Sequence, residues 1–292
     1  MRLSLLPFWA SLLLSAASGA DTDPRLEQAL GAVADAAAKF LDSAPRFGAH
    51  ESLKQKAIVA LQDPSAPARL PDRNKDKEIV SLYALFGRLP QPQSLHEVRV
   101  MFEIDGKVIL TEPKAWDDLK EALLNDGHRA QLAAEFEHES LGDTAVDFAQ
   151  LLLLFRKASL ARYAFSLVPP DIGNPQRVGA DPALVISFEQ QSGKASLHLN
   201  EAGKRSQSRL EGQLWVRNSG YLPLRIVLRA ERNNHNKVRI RDEVRVDYEQ
   251  IQGTLLPASV SHRRYLDDML RAENVYQYSG WLILEQPDNR KK

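Results

Sequence analysis

Leu210-Glu-Gly-Gln-Leu-Trp-Val-Arg-Asn-Ser-Gly-Tyr-Leu-Pro-Leu-Arg-Ile-Val-Leu228 is the stretch on which the fold assignment turns. Leu210, Leu214 and Val216 share one parity before the polar run Asn218-Ser219-Gly220. Leu224, Ile226 and Leu228 share one parity after it. Alternation on both sides of a turn predicts a β-hairpin. Trp215 falls with Glu211, Gln213 and Arg217, on the solvent parity.

The same division continues towards the C-terminus. Val238, Ile240, Val244, Val246 and Tyr248 point one way; Lys237, Arg239, Arg241, Glu243, Arg245, Asp247 and Glu249 point the other. Strands are expected over 183–190, 194–200, 209–217, 222–232, 237–249, 255–266 and 271–284. The short turns between them, among them Gln252-Gly253 and Asp267-Asp268, make neighbours antiparallel. A meander this long has room to curl. The expected fold is therefore α+β: a large curved antiparallel β-sheet, a half-barrel, with an apolar concave face that needs a cover.

Upstream, Leu26, Ala29, Leu30, Val33, Ala36, Ala37, Phe40 and Leu41 recur at helical spacing over 23–42. Asp23 is placed to cap that helix and Pro24 suits its first position. Residues 50–62 fit a helix or a strand, and 63–77 read as a solvated loop. A strand is expected over 78–88, and a hairpin follows over 96–104 and 107–110, turning at Asp105-Gly106. Residues 111–159 read as a helical insert. Its third helix starts from Asp143 or Thr144 and carries Val146, Ala149, Leu153 and Leu154. The N-terminal helix and this insert are the expected cover.

The first 20 residues have the pattern of a secretory signal: Arg2, an apolar run from Leu3 to Leu14, and small residues at Ser18-Gly19-Ala20. Residues 21–292 then form a single domain. The chain has no cysteine, which excludes disulfides, thiol chemistry and cysteine-based metal sites. Acidic and basic residues balance, which argues against nucleic acid as a partner. After residue 20 no apolar stretch reaches membrane-spanning length, so the mature form is not expected to span a membrane.

The sequence lacks a Gly-x-Ser-x-Gly elbow, a Ser-x-x-Lys site, a His-Glu-x-x-His pair, a phosphate loop and a dinucleotide fingerprint. No catalytic residue, cofactor or metal ligand is assigned. His128 and His138, on one helical stretch with Glu135, Glu137 and Glu139, stand about 15 Å apart along the axis, too far for one ion. The polar residues that stand out lie inside the sheet pattern. Asp242 interrupts an apolar face, and His262 and Arg264 share a face of the next strand. Asp242 pairs with one or the other according to the centre of the hairpin. They read as polar anchors, either a buried ion pair that fixes register or part of a ligand cavity.

Gly212-x-Leu-Trp-Val216, Pro223-Leu-Arg-Ile226, the Val238–Tyr248 strand and Gly253-Thr-Leu-Leu-Pro257 together resemble the core hairpins of the periplasmic outer-membrane lipoprotein carrier and sorting proteins. That resemblance implies an incomplete barrel holding acyl chains between sheet and helices, in the periplasm. It implies a non-catalytic protein that binds a lipid or a lipidated partner. The expected ligand wall is Leu214, Val216, Leu224, Ile226, Leu228, Val238, Ile240, Val244, Val246 and Tyr248, with Leu153 and Leu154 from the insert. The alternatives are a self-filled sensor or interaction module of the cell envelope, and an enzyme with a site near Asp242, His262 and Arg264.

Overall fold

The computed structural model describes residues 23–59, 73–87, 95–141, 148–170, 176–192, 209–233 and 238–284. The leader, its cleavage site, the strand expected over 194–200 and the caps Asp143 and Thr144 lie outside the described residues.

The N-terminal helix forms as its spacing predicts. Helix α1 (Pro24–Ser43) starts at Asp23, whose side chain accepts from the Arg25 amide at 2.8 Å. It buries Leu26, Ala29, Val33, Ala37 and Phe40 on one stripe. Strands β1 (Phe47–Val59), β2 (Arg73–Phe86) and β3 (His96–Ile104) follow, with a two-residue return, β4 (Lys107–Val108). Helices α2 (Glu112–Leu124) and α3 (Asp126–Glu139) come next, then a 3₁₀ segment over Phe148–Phe155. The remaining strands are β5 (Tyr163–Leu167), β6 (Arg177–Val178), β7 (Asp181–Gln190), β8 (Arg209–Arg217), β9 (Pro223–Asn233), β10 (Arg239–Ile251), β11 (Thr254–Leu266) and β12 (Met269–Ile283). Asp105-Gly106, Gln252-Gly253 and Asp267-Asp268 all have positive φ at both positions. That is the twist-matched two-residue hairpin turn.

The strands form one antiparallel sheet in the order β4-β3-β2-β1-β12-β11-β10-β9-β8-β7-β5, with β6 beside β7. This overturns the half-barrel. The order has two free ends, and the sheet is neither closed nor strongly curled. The reason lies in β1, read as ambiguous from sequence. It inserts between β12 and β2, from Phe47 opposite Ile283 to Ala57 opposite Ala272. The edge of the meander is thus paired by the N-terminal strands. Residues 73–77, read as loop, are the first part of β2.

The cover is also redistributed. The inward face packs against α1 and the 3₁₀ segment, around Phe40, Leu53, Tyr83, Phe148, Leu152, Phe155, Ile186, Leu214 and Val246. Helix α2 lies on the opposite face, where Ala115, Leu119 and Ala122 meet Leu82, Ala84, Val98 and Val100 of β2 and β3. Helix α3 serves both sides: Leu132 joins the outer cluster and Phe136 the inner one. The expected third helix is instead the 3₁₀ segment, with Phe148, Leu151, Leu152 and Phe155 buried.

Gly212 allows β8 and β9 to approach closely. A Cβ there would run into the Val227 carbonyl oxygen and crowd the Phe188 ring. Gly212→Ala is expected to cost at least about 2 kcal/mol in urea unfolding, in the range of overpacked cores. Gly31→Ala, at an open helical position, is expected to be neutral or slightly stabilising.

Candidate functional site

Two rows of polar side chains cross the sheet at one level, one on each face. On the inward face the register places Val244, His262, Asn274, Gln55 and Lys77 side by side on β10, β11, β12, β1 and β2. The bonds along this row have a direction. The Leu141 amide donates to Gln55 Oε1 at 2.9 Å, and Gln55 Nε2 donates to Asn274 Oδ1 at 3.1 Å. Asn274 Nδ2 then lies 3.3 Å from His262 Nδ1, and His262 Nε2 lies 2.8 Å from Asp242 Oδ1. The amide orientations assign the tautomer: Nδ1 accepts and Nε2–H donates.

The row ends on a carboxylate. Asp242 is fully buried and also accepts from Arg264 Nε at 2.8 Å and from Arg232 Nη1 at 2.6 Å. Burial alone would push its carboxyl up. The His262 hydrogen bond and the charges of Arg264 and Arg232 outweigh that and hold it well below the usual carboxylate range. Burial lowers the His262 imidazole, opposed only by Asp242. The group therefore consists of a neutral imidazole, one carboxylate and two guanidiniums. Phe148 closes over it, its ring 4.8 Å from that of His262.

The structure thus brings Asp242, His262 and Arg264 together. The direct register partner of Asp242 is Arg264. A bulge decides this. Between Asp247/Ser259 and Tyr248/Pro257 the register shifts and leaves Ala258 unpaired. The shift changes the parity of β11, so that Val260, His262 and Arg264 face inward. Arg232, Asn274 and Gln55 complete the group and were not legible in sequence.

A second buried charge cluster sits beside this row. Arg99 makes a two-pronged contact with Glu51, at 2.7 and 2.9 Å, and approaches Glu97 at 2.6 Å. Its guanidinium lies 5.1, 4.9 and 5.5 Å from the rings of Tyr83, Phe136 and Tyr276. Burial keeps the Glu51 carboxyl above its ordinary range in spite of Arg99. At the next strand Lys77 reaches the far end of α3, 2.7 Å from Glu139.

The expected wall residues are core. Leu214, Val216, Ile226, Leu228, Val244, Val246 and Tyr248 belong to the main cluster, with Leu153 and Leu154 packed against it. Leu224 and Ile240 are buried, and Val238 is half-buried just before β10. Tyr248 has a more specific task. Its hydroxyl accepts from the Leu152 amide at 3.1 Å and donates to the Ala149 carbonyl at 3.4 Å, pinning the 3₁₀ segment to the sheet.

The outward row is a ladder of alternating charge. Arg229, Glu243, Arg263, Glu273, Lys56 and Asp76 are successive register partners from β9 to β2. Part of it floors a groove of about 430 Å³ between β9 and β12, lined by Arg245, Asp247, Ser261, Arg263, Glu273 and Gln277. A second groove of about 390 Å³ adjoins it through Glu273 and Val275 and runs on to Lys54, Lys56 and Asp76.

No family model and no curated protein matches the sequence. Two solved structures show a weak likeness. One is a LolA superfamily protein from Nitrosomonas europaea, 10% identical, with a TM-score of 0.32 over 89% of this chain and 95% of that one. The other is a DUF1329 family protein from Desulfovibrio piger, 11% identical, with a TM-score of 0.37 over 93% and 96%. Among the described residues no helix is long and apolar enough to cross a membrane.

Asp242→Ala leaves two buried guanidiniums without their carboxylate and is expected to cost about 3–5 kcal/mol in urea unfolding. The pH dependence follows from His262. Its folded pKa is lowered, so the unfolded chain takes up the proton first. Its contribution is present above the ordinary imidazole range and lost as pH falls through that range. His262→Gln keeps a donor for Asp242 and does not titrate. The stability difference between wild type and this variant is expected to shrink from about pH 8 to about pH 5. A difference that stays constant would mean that the imidazole is not held neutral.

Proposed function

We propose that the chain is a non-catalytic binding module of the cell envelope that meets a polypeptide partner on the outward groove. One observation carries this reading: the inward face is filled by the chain's own 3₁₀ segment, whereas the described grooves lie on the outward face. The groove is polar and its charges alternate. Such a surface suits an extended segment of mixed charge and disfavours an acyl chain, which binds by removing apolar area from water. The burial of Asp242, His262 and Arg264 favours a structural role for them over catalysis. The signal-like first 20 residues support export to the periplasm.

A photo-crosslinker at Ser261, in the groove, is expected to give a discrete protein adduct in envelope extracts. One at Asp35, on the exposed side of α1, is not. Adding Gln277→Trp to the Ser261 probe is expected to reduce the adduct at least fivefold without changing the urea midpoint. Equal adducts at both positions would overturn the assignment of the surface.

A second reading, a lipid or lipidated partner held between sheet and helices, is favoured by the nature of the plug. Phe148–Phe155 runs for eight residues in 3₁₀ geometry, and such runs are uncommon beyond three or four. On this reading the segment is a displaceable stand-in for an acyl chain. Tyr248→Phe, which releases its anchor, is then expected to raise uptake of a fluorescent fatty acid several-fold. If denatured wild-type protein yields no lipid by mass spectrometry and Tyr248→Phe takes up no probe, the lipid reading fails.

A further inference from the structure

The corner between α2 and α3 brings together three metal-ligating side chains of two chemical kinds. Asp118 and Glu121 stand one turn apart on the same face of α2. Only Asn125 separates that helix from α3, and the Asn125 side chain caps α3, accepting from the Gly127 and His128 amides at 2.9 and 3.2 Å. The cap fixes His128 in the first turn of α3, facing back towards α2. One ligand atom from each of Asp118, Glu121 and His128 lies within 4.8 Å of the other two.

Two further facts separate this group from an ordinary acidic surface. His128 Nε2 is shielded from solvent and has no hydrogen-bond partner among the described residues. A shielded ring nitrogen without a partner costs free energy unless something takes its lone pair or proton. In addition, two neighbouring cations are engaged elsewhere. Lys120 points to Asp117 at 3.9 Å, while Arg129 pairs with Asp126 and lies 3.8 Å from the centre of the Phe86 ring. The C-terminal end of α2 adds negative partial charge beside Glu121.

We infer that Asp118, Glu121 and His128 form a divalent transition-metal site, with Zn²⁺ as the cation its donors fit best. One imidazole and two carboxylates suit a borderline ion, and a set with a nitrogen donor is a poor match for Mg²⁺ or Ca²⁺. Tetrahedral ligands about 2.0–2.2 Å from zinc stand roughly 3.4 Å apart. Side-chain rotation alone closes the difference, because Glu121 is exposed and long. Three protein ligands leave a fourth position for water or for a donor from a partner. The ion would tie α2 to α3 at the corner from which α3 crosses to the inward face.

The test uses the purified chain stripped with chelator and titrated calorimetrically with Zn²⁺ alone. One equivalent is expected to bind and to raise the thermal midpoint. His128→Ala and Glu121→Gln are each expected to weaken binding at least tenfold, with their metal-free urea midpoints unchanged. His138→Ala, at the exposed end of the same helix, is expected to bind as wild type does. Absence of binding by the wild-type chain, or unchanged affinity in His128→Ala, would overturn the site.

Discussion

Burial of the Asp242 carboxylate is the constraint on which the inward face depends. A charge there is tolerable only when its lone pairs are filled and its charge is answered. Arg232, Arg264 and His262 do this from β9 and β11. The requirement then passes on, because a buried imidazole that donates at one nitrogen needs a donor at the other. Asn274 supplies it, Gln55 satisfies Asn274, and the Leu141 amide satisfies Gln55. One ionised group thereby specifies the order of five strands and the position of the chain leaving α3. The apolar residues around it would tolerate many packings; this row tolerates few.

The outward ladder answers the inward row one residue away. On β11, β12, β1 and β2 the inward positions are His262, Asn274, Gln55 and Lys77, and the outward neighbours are Arg263, Glu273, Lys56 and Asp76. Arg263, Glu273 and Lys56 each meet the opposite charge on both sides, and Asp76 meets Lys56 at the end of the row. A slip of β10 or β11 by two residues preserves facing but breaks this alternation, because Arg241 or Arg245 would replace Glu243 and Ser261 or Tyr265 would replace Arg263. Exposed pairs contribute little individually. Their value here is discrimination between registers.

Much of the fold was legible because the strands from β8 onward alternate cleanly and three hairpins carry two-residue turns. Strand β1 was not, because two of its inward positions are Glu51 and Gln55, so the apolar alternation that identifies a strand is broken where the buried polar groups begin. The charged start of β2 reads as loop for a related reason: Lys77 faces inward but is paired with Glu139, a partner distant in sequence. The meeting of Asp242 with Arg264 depends on the bulge at Ala258, which no turn residue announces. The half-barrel followed from the length of the meander, which has room to curl, and from the resemblance to an incomplete barrel; long-range pairing of β1 with β12 leaves no periodic signal. Likewise His128 was judged against its own helix, whereas its neighbours are one turn back on the preceding one.

The place of β1 has a bearing on how the chain reaches this state. Its two partners lie far apart in the sequence: β2 follows it closely, and β12 is the last of the described strands. Until β12 exists, β1 to β4 and β5 to β11 are separate half-sheets, each with one long, unprotected edge of backbone donors and acceptors. Closing that seam brings together residues more than 200 apart (Gln55 and Asn274 among them). Such contacts are slow to form. The native sheet is therefore completed only once β12 is available to pair with β1, and the Gln55–Asn274 bond of the polar row forms across that seam. The seam between β1 and β12 is thus where the edges of an incomplete sheet stay open longest.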